Sequence, residues 1–204
     1  MTAAVIFDLY GTLLQIPHDS RPFDQLARRA AKYRPAIEFA LTSSNPTLSD
    51  FAANIGLQPQ TDASQLQSQL DADIRNIQPF GDAITTLKKL KQHEIKTAVI
   101  SNLATPYKQP FAHHEFDDLV DVTVFSCDCG QMKPSPEIYQ LAAKQLGCDI
   151  KDTVMVGDSL RSDVDGPSQI GILGMHLVRD GRSSSAQTVI TSLHSVLAKC
   201  NITT

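Results

Sequence analysis

Val5-Ile6-Phe7-Asp8-Leu9-Tyr10-Gly11-Thr12-Leu13-Leu14 is the stretch from which the rest of the chain is read. Ala4 to Phe7 are four apolar residues in a row, the pattern of a strand covered on both faces inside a parallel sheet, where alternation disappears. The run stops on a carboxylate, Asp8, and Gly11 then supplies a turn. An aspartate at a strand end can simply bond to nearby backbone amides, so Asp8 gains meaning only from what the other strand ends carry.

Working outward, Pro17-His18-Asp19-Ser20 reads as a turn. Arg21 to Asn76 reads as several short helices with no strand pattern. Phe23, Leu26, Ala27 and Ala30 recur at helical spacing, as do Ile37, Ala40 and Leu41, then Leu48, Phe51 and Ala52, then Leu66, Leu70, Ile74 and Ile77. Pro79-Phe80-Gly81 returns the chain to its main body. A helix through Ile84, Leu87 and Leu90 leads to a second strand, Ile95 to Ile100, ending on Ser101-Asn102. A third strand covers Val122 to Phe125. Pro134 and Pro136 open a helix that Gly147 closes. A fourth strand, Thr153 to Val156, ends on Gly157-Asp158. A helix is expected over Asp163 to Ile170, a fifth strand over Ile172 to Val178, and a last helix through Val189, Ile190, Leu193 and Leu197. Alternating strands and helices predict an α/β fold with a parallel sheet of about five strands. The helical stretch, residues 17–78, is expected as a small domain inserted into a core of residues 1–16 and 79–204.

Composition narrows the function. The chain has 204 residues, is 42% hydrophobic and 20% charged, and carries a net charge of −4, so no global basic field draws it to nucleic acid or anionic lipid. The first strand starts almost at Met1 with no basic, apolar leader before it, and no apolar run approaches the roughly 20 residues of a membrane span. A cytoplasmic protein without a signal peptide is expected. Cys127 and Cys129 have no matching second pair among the four cysteines, which argues against zinc and for reduced thiols.

Three expected strands therefore end on Asp8, Ser101-Asn102 and Gly157-Asp158, and in a parallel sheet such ends share one edge, where ligands bind. With Lys133 before Pro134, and Asp163 just past Asp158, the set resembles the haloacid dehalogenase (HAD) superfamily. Phe7-Asp8-Leu9-Tyr10-Gly11-Thr12-Leu13 is similar to its first motif and Ile100-Ser101-Asn102 to its second. Lys133-Pro134-Ser135-Pro136 is similar to the third, and Val156-Gly157-Asp158-Ser159-Leu160-Arg161-Ser162-Asp163 to the fourth. The resemblance spans nearly the whole chain. It implies a Rossmann-like sheet in chain order 3-2-1-4-5 under a helical cap.

It also implies roles. Asp8 is the expected nucleophile, forming a covalent intermediate. Ser101 and the amide of Asn102 would donate to a substrate oxygen, and Lys133 would supply positive charge to a small anionic substrate. Asp8, Asp158 and Asp163 crowd together with one lysine to offset them, a conflict that Mg²⁺ would relieve. The family pattern implies the Asp8 and Asp158 side chains and the Tyr10 main-chain carbonyl as its ligands, with Asp163 an occasional ligand or orienting Lys133 or a metal-bound water. Tyr10 departs from the phosphatases of the family, which carry there an aspartate that protonates the leaving group, a service worth roughly 10²–10⁴-fold. Haloacid dehalogenases have tyrosine at this position and need no metal, but they have Ser/Asn-type residues in place of Gly157-Asp158. This chain also lacks tryptophan, and Arg28, Arg29 and Arg34 offer no certain halide-binding arginine. Three readings stand: a Mg²⁺-dependent phosphatase, a metal-free L-2-haloacid dehalogenase, and a phosphate- or partner-binding protein with little turnover.

Overall fold

The computed structural model describes residues 2–17, 20–58, 63–114 and 116–202. In chain order, β1 (Ala4–Phe7) leads through a tight loop to β2 (Leu14–Gln15), followed by α1 (Pro22–Ala27), α2 (Tyr33–Thr42), α3 (Leu48–Asn54) and α4 (Ser64–Asn76). Then come β3 (Gln78–Pro79), α5 (Ala83–Gln92), β4 (Lys96–Ser101), a 3₁₀ turn (Thr105–Lys108), α6 (Gln109–His113), β5 (Val122–Phe125), α7 (Ser126–Cys129) and α8 (Pro136–Leu146). The chain closes with β6 (Thr153–Gly157), a wide π-helical turn (Leu160–Asp165), α9 (Gly166–Ser168), β7 (Leu173–Leu177), β8 (Val189–Ile190) and α10 (Ser195–Lys199). Of the expected turn at Pro17–Ser20, His18 and Asp19 lie outside the described residues.

The main sheet runs β5-β4-β1-β6-β7-β8, with every pairing parallel and β1 in the middle. The five expected strands stand in the expected order. Both faces of β1 are buried: Val5 and Phe7 join an apolar cluster with Leu87, Leu90 and Leu197, whereas Ala4 and Ile6 face Ile138, Tyr139 and Ala142. That two-sided burial is why the strand reads as an unbroken apolar run.

Two expectations are corrected. The sheet has a sixth strand, because Val189 and Ile190 extend and pair with His176 and Leu177 instead of starting the last helix, which is confined to α10. Ile190 is buried and Val189 exposed, a period of two that suits β-branched residues on a pleated edge. The helix expected over Asp163–Ile170 begins earlier, at Leu160. Ser159 caps it, accepting from the Ser162 amide at 3.3 Å, while the Asp163 amide donates to the Ser159 carbonyl at 2.8 Å.

The helices between Pro22 and Asn76 bury a cluster of their own, built on Phe23, Leu26, Leu48, Phe51, Leu66 and Leu70. α3 opens with Thr47 and Asp50 satisfying each other's backbone amides at 3.0 and 3.1 Å. This cluster meets the sheet domain at Ala104 and at Tyr107, whose ring lies 6.4 Å from that of Phe23. The antiparallel pair β2–β3, which has no signature in so short a stretch, joins the two chain crossings side by side.

Candidate active site

Because β1 lies between β4 and β6, the residues just past these three strands converge on one edge of the sheet. Asp8 follows β1, Ser101 and Asn102 end β4, and Asp158 follows β6. Lys133 arrives from the loop before α8. Its ammonium donates to Asp8 Oδ1 at 2.6 Å and to Asp163 Oδ1 at 2.7 Å, and all three side chains are almost completely buried. The backbone of Lys133 is held just as firmly. Its amide donates to Asn102 Oδ1 and its carbonyl accepts from Asn102 Nδ2, both at 2.8 Å. The Asn102 side chain thus fixes the lysine loop to the end of β4, and Ser101 beside it is buried.

The second oxygen of Asp8 accepts from the Thr12 hydroxyl at 3.1 Å. Thr12 is fully buried, and the sequence reading did not single it out, although a hydroxyl within an apolar run is a signal. Two glycines make room for the acids. A Cβ on Gly11, whose φ is +89°, would stand 2.4 Å from Asp158 Oδ2, and one on Gly157 would stand 2.2 Å from Asp163 Oδ2. The other Asp163 contact runs from the Ser159 amide, at 3.0 Å. One carboxylate oxygen each from Asp8, Asp158 and Asp163 lies within 4.8 Å of the others. These three expected site residues and Lys133 do meet.

Electrostatics make the cluster unusual. Burial pushes the Asp8 carboxyl up to about 7, Lys133 opposes that, and Asp163 and Asp158 add to it. Burial also raises Asp158, with Asp163 contributing. Burial disfavours the charged form of Lys133, but Asp163 and Asp8 together outweigh it and keep its proton tightly held. The Lys133 ammonium pairs with two of the three carboxylates, and among the described residues Asp158 forms no ion pair. A donor set of hard, crowded oxygens with excess negative charge suits a divalent cation that prefers oxygen.

Tyr10 is placed differently. Its hydroxyl donates to the Tyr107 carbonyl at 2.6 Å, and the two rings meet edge-to-face at 6.0 Å. Burial, then Tyr107 and Asp8, pushes its phenol far above the ordinary value. Its proton is committed to the backbone of the 3₁₀ turn. No sequence signal pointed to Tyr107, which lies 97 residues away.

A family model described as haloacid dehalogenase-like hydrolase matches residues 2–171. The chain is 30% identical to a glyceraldehyde 3-phosphate phosphatase of Methanopyrus kandleri, an alignment covering 88% of this chain and 85% of that one. It is 26% identical to (S)-2-haloacid dehalogenase 4A of Burkholderia cepacia, over 87% and 84% of the two chains. The crystal structure of a HAD phosphatase from Thermococcus onnurineus superposes with a TM-score of 0.70, covering 97% of each chain at 22% identity, and supports the fold. Motif order, sheet topology and these matches agree: the chain is a hydrolase belonging to the haloacid dehalogenase-like family.

Proposed function

We propose that this hydrolase is a Mg²⁺-dependent phosphatase that acts on a small phosphorylated metabolite through an aspartyl-phosphate on Asp8. The observation that carries the reading is the third carboxylate: Asp158 joins Asp8 and Asp163 within 4.8 Å around a single lysine. Asp8, Asp158 and the Tyr10 carbonyl would hold the ion, which supplies positive charge to the substrate phosphoryl oxygens when bound. Asp8, oriented by Thr12 and Lys133, attacks phosphorus and displaces the leaving oxygen. Lys133 stays charged and offsets the phosphoryl group, and Ser101 and the Asn102 amide donate to its oxygens. Asp163 anchors Lys133 from behind. The relative from Methanopyrus kandleri is named for a small sugar phosphate, which supports a metabolite-sized substrate. We further take residues 17–78 as the cap over this edge, and the protein as cytoplasmic. Among the described residues no helix is long and apolar enough to cross a membrane.

The committed Tyr10 hydroxyl shapes the substrate choice. With no carboxylate two residues after the nucleophile, leaving alkoxides receive no proton from that position. Acyl and aryl phosphates, whose leaving groups depart without one, are the better substrates. Tyr10 is also what favours the second reading, a metal-free dehalogenase, since halide needs no proton. The test measures phosphate release from acyl, aryl and alkyl phosphates, and chloride release from 2-chloropropionate, each with Mg²⁺ or with EDTA. Mg²⁺-dependent phosphate release that Asp8→Asn abolishes is the expected result. Metal-independent chloride release would establish the dehalogenase instead, and tight phosphate binding without either product would establish a binding protein.

A further inference from the structure

His176 belongs to no motif, yet it is buried against the acidic cluster. It sits on β7 directly opposite Gly157 of β6. Its Nε2 lies 3.0 Å from the Asp158 main-chain oxygen, and its Nδ1 lies 2.5 Å from Ser184 Oγ. The Asp158 carbonyl only accepts, so Nε2 donates to it. Ser184 Oγ, which faces Nδ1, also accepts from the Ala186 amide at 3.1 Å. A chain of hydrogen bonds thus runs from Ser184 through the ring of His176 to the backbone of Asp158.

The need for such a clamp follows from Gly157. Only a residue without Cβ lets Asp163 approach there, since a Cβ would stand 2.2 Å from its carboxylate. Gly157 is also the last residue of β6, so Asp158 stands just past the ladder and outside its restraint. Asp158 follows immediately and, lacking an ion pair among the described residues, depends on its backbone for its aim. His176 fixes the carbonyl of the residue whose carboxylate must face Asp8.

We propose that His176, held by Ser184, is a positioning residue for Asp158, and that it tunes the affinity of the acidic cluster for a divalent cation. The proposal rests on the metal-dependent reading above. The experiment is calorimetric titration of the full chain with Mg²⁺ alone, without substrate, for the wild type, His176→Leu, His176→Gln and Ser184→Ala. Outer hydrogen-bond partners of metal ligands typically change affinity about 10–100-fold. His176→Leu, which keeps the bulk and loses the donor, is expected to weaken Mg²⁺ binding about 10-fold, whereas His176→Gln, whose amide can still donate, stays within about 2-fold of wild type. Ser184→Ala lies between them and serves as the partly exposed variant should His176→Leu fold poorly. Imidazole nitrogen NMR of the metal-free wild type supplies a second readout: a slowly exchanging Nε2–H is expected. A wild type that binds Mg²⁺ no better than His176→Leu and Ser184→Ala overturns this proposal and leaves the phosphatase reading standing, as does a ring whose Nε2 carries no proton. A wild type that takes up no Mg²⁺ at all overturns both.

Discussion

Two ion-pair nodes in this chain use the same groups to opposite ends. At the sheet edge, Asp8, Asp158 and Asp163 crowd around Lys133, and acid outnumbers base. On the flank of the sheet, Asp82 meets Arg179 in a two-pronged pair at 2.8 and 3.1 Å and also accepts from Ser192 Oγ at 2.8 Å and the Leu193 amide at 2.9 Å. Arg179 in turn stacks on Phe80 and donates to the Thr12 carbonyl at 3.0 Å. The first node is buried and left short of positive charge, which costs stability and invites a cation. The second is balanced and fully donated to, and it fastens the segment after β3 to the last strands. Unbalanced charge marks the proposed site of action, and balanced charge marks where the chain is held.

Asp8→Asn tests that contrast hardest. Turnover should fall by about 10⁴-fold or more, as the proposed role of Asp8 as nucleophile requires. Stability should move the other way. Without metal at pH 8, the variant should melt at a higher temperature than the wild type, because one of three repelling carboxylates is gone and Lys133 keeps Asp163. A drop in melting temperature would mean that the Asp8–Lys133 pair is structural, and the contrast would fail.

Tyr10→Asp should have the next largest effect. A carboxylate there restores a group able to protonate the leaving oxygen and frees the Tyr107 carbonyl. Hydrolysis of alkyl phosphates should rise by about 10²-fold, toward the lower end of what acid–base assistance provides. Aryl phosphates should gain much less, and the ratio of the two rates is the measurement. Equal gains, or none, would detach Tyr10 from leaving-group chemistry.

At the balanced node, Asp82→Asn should lower stability by about 2 kcal/mol, since it breaks a charged pair and weakens two further hydrogen bonds. For a chain of this length that is a fall of roughly 4–8 °C in melting temperature, with turnover nearly unchanged. A large loss of turnover with intact melting would show that Arg179 acts on Asp8 through Thr12.

How far each node could be read from the sequence follows from its chemistry. The acidic node is largely written in short stretches, because Asp8 and Asp158 stand just past strands that announce themselves as apolar runs. Asp8, Ser101-Asn102 and Asp158 are legible for that reason. Asp82 and Arg179 are 97 residues apart and follow no period, so nothing local joins them. β8 is hidden for a related reason. Val189 and Ile190 fit a helix or a strand equally well over two residues, and only pairing with His176 and Leu177 decides. The fate of the Tyr10 proton was likewise settled by a carbonyl far along the chain.

The nodes should also respond to pH with opposite signs. Burial disfavours ionised Asp82, but Arg179, the Leu193 amide and Ser192 together outweigh it and lower its carboxyl below the usual range. The unfolded chain therefore binds more protons there, and the stability Asp82 contributes is present above about pH 4 and lost as pH falls through its lower folded value. Asp8 is raised to about 7, so the folded chain binds more protons between about pH 4 and 7. Its contribution grows as pH falls through that window and is lost as pH rises through 7. Denaturant midpoints of the metal-free protein should thus increase from pH 8 to pH 5 and decrease below pH 4. Asp8→Asn should flatten the first limb alone, and Asp82→Asn the second alone. If Asp82→Asn flattened the upper limb instead, the excess charge would have been assigned to the wrong end of the sheet.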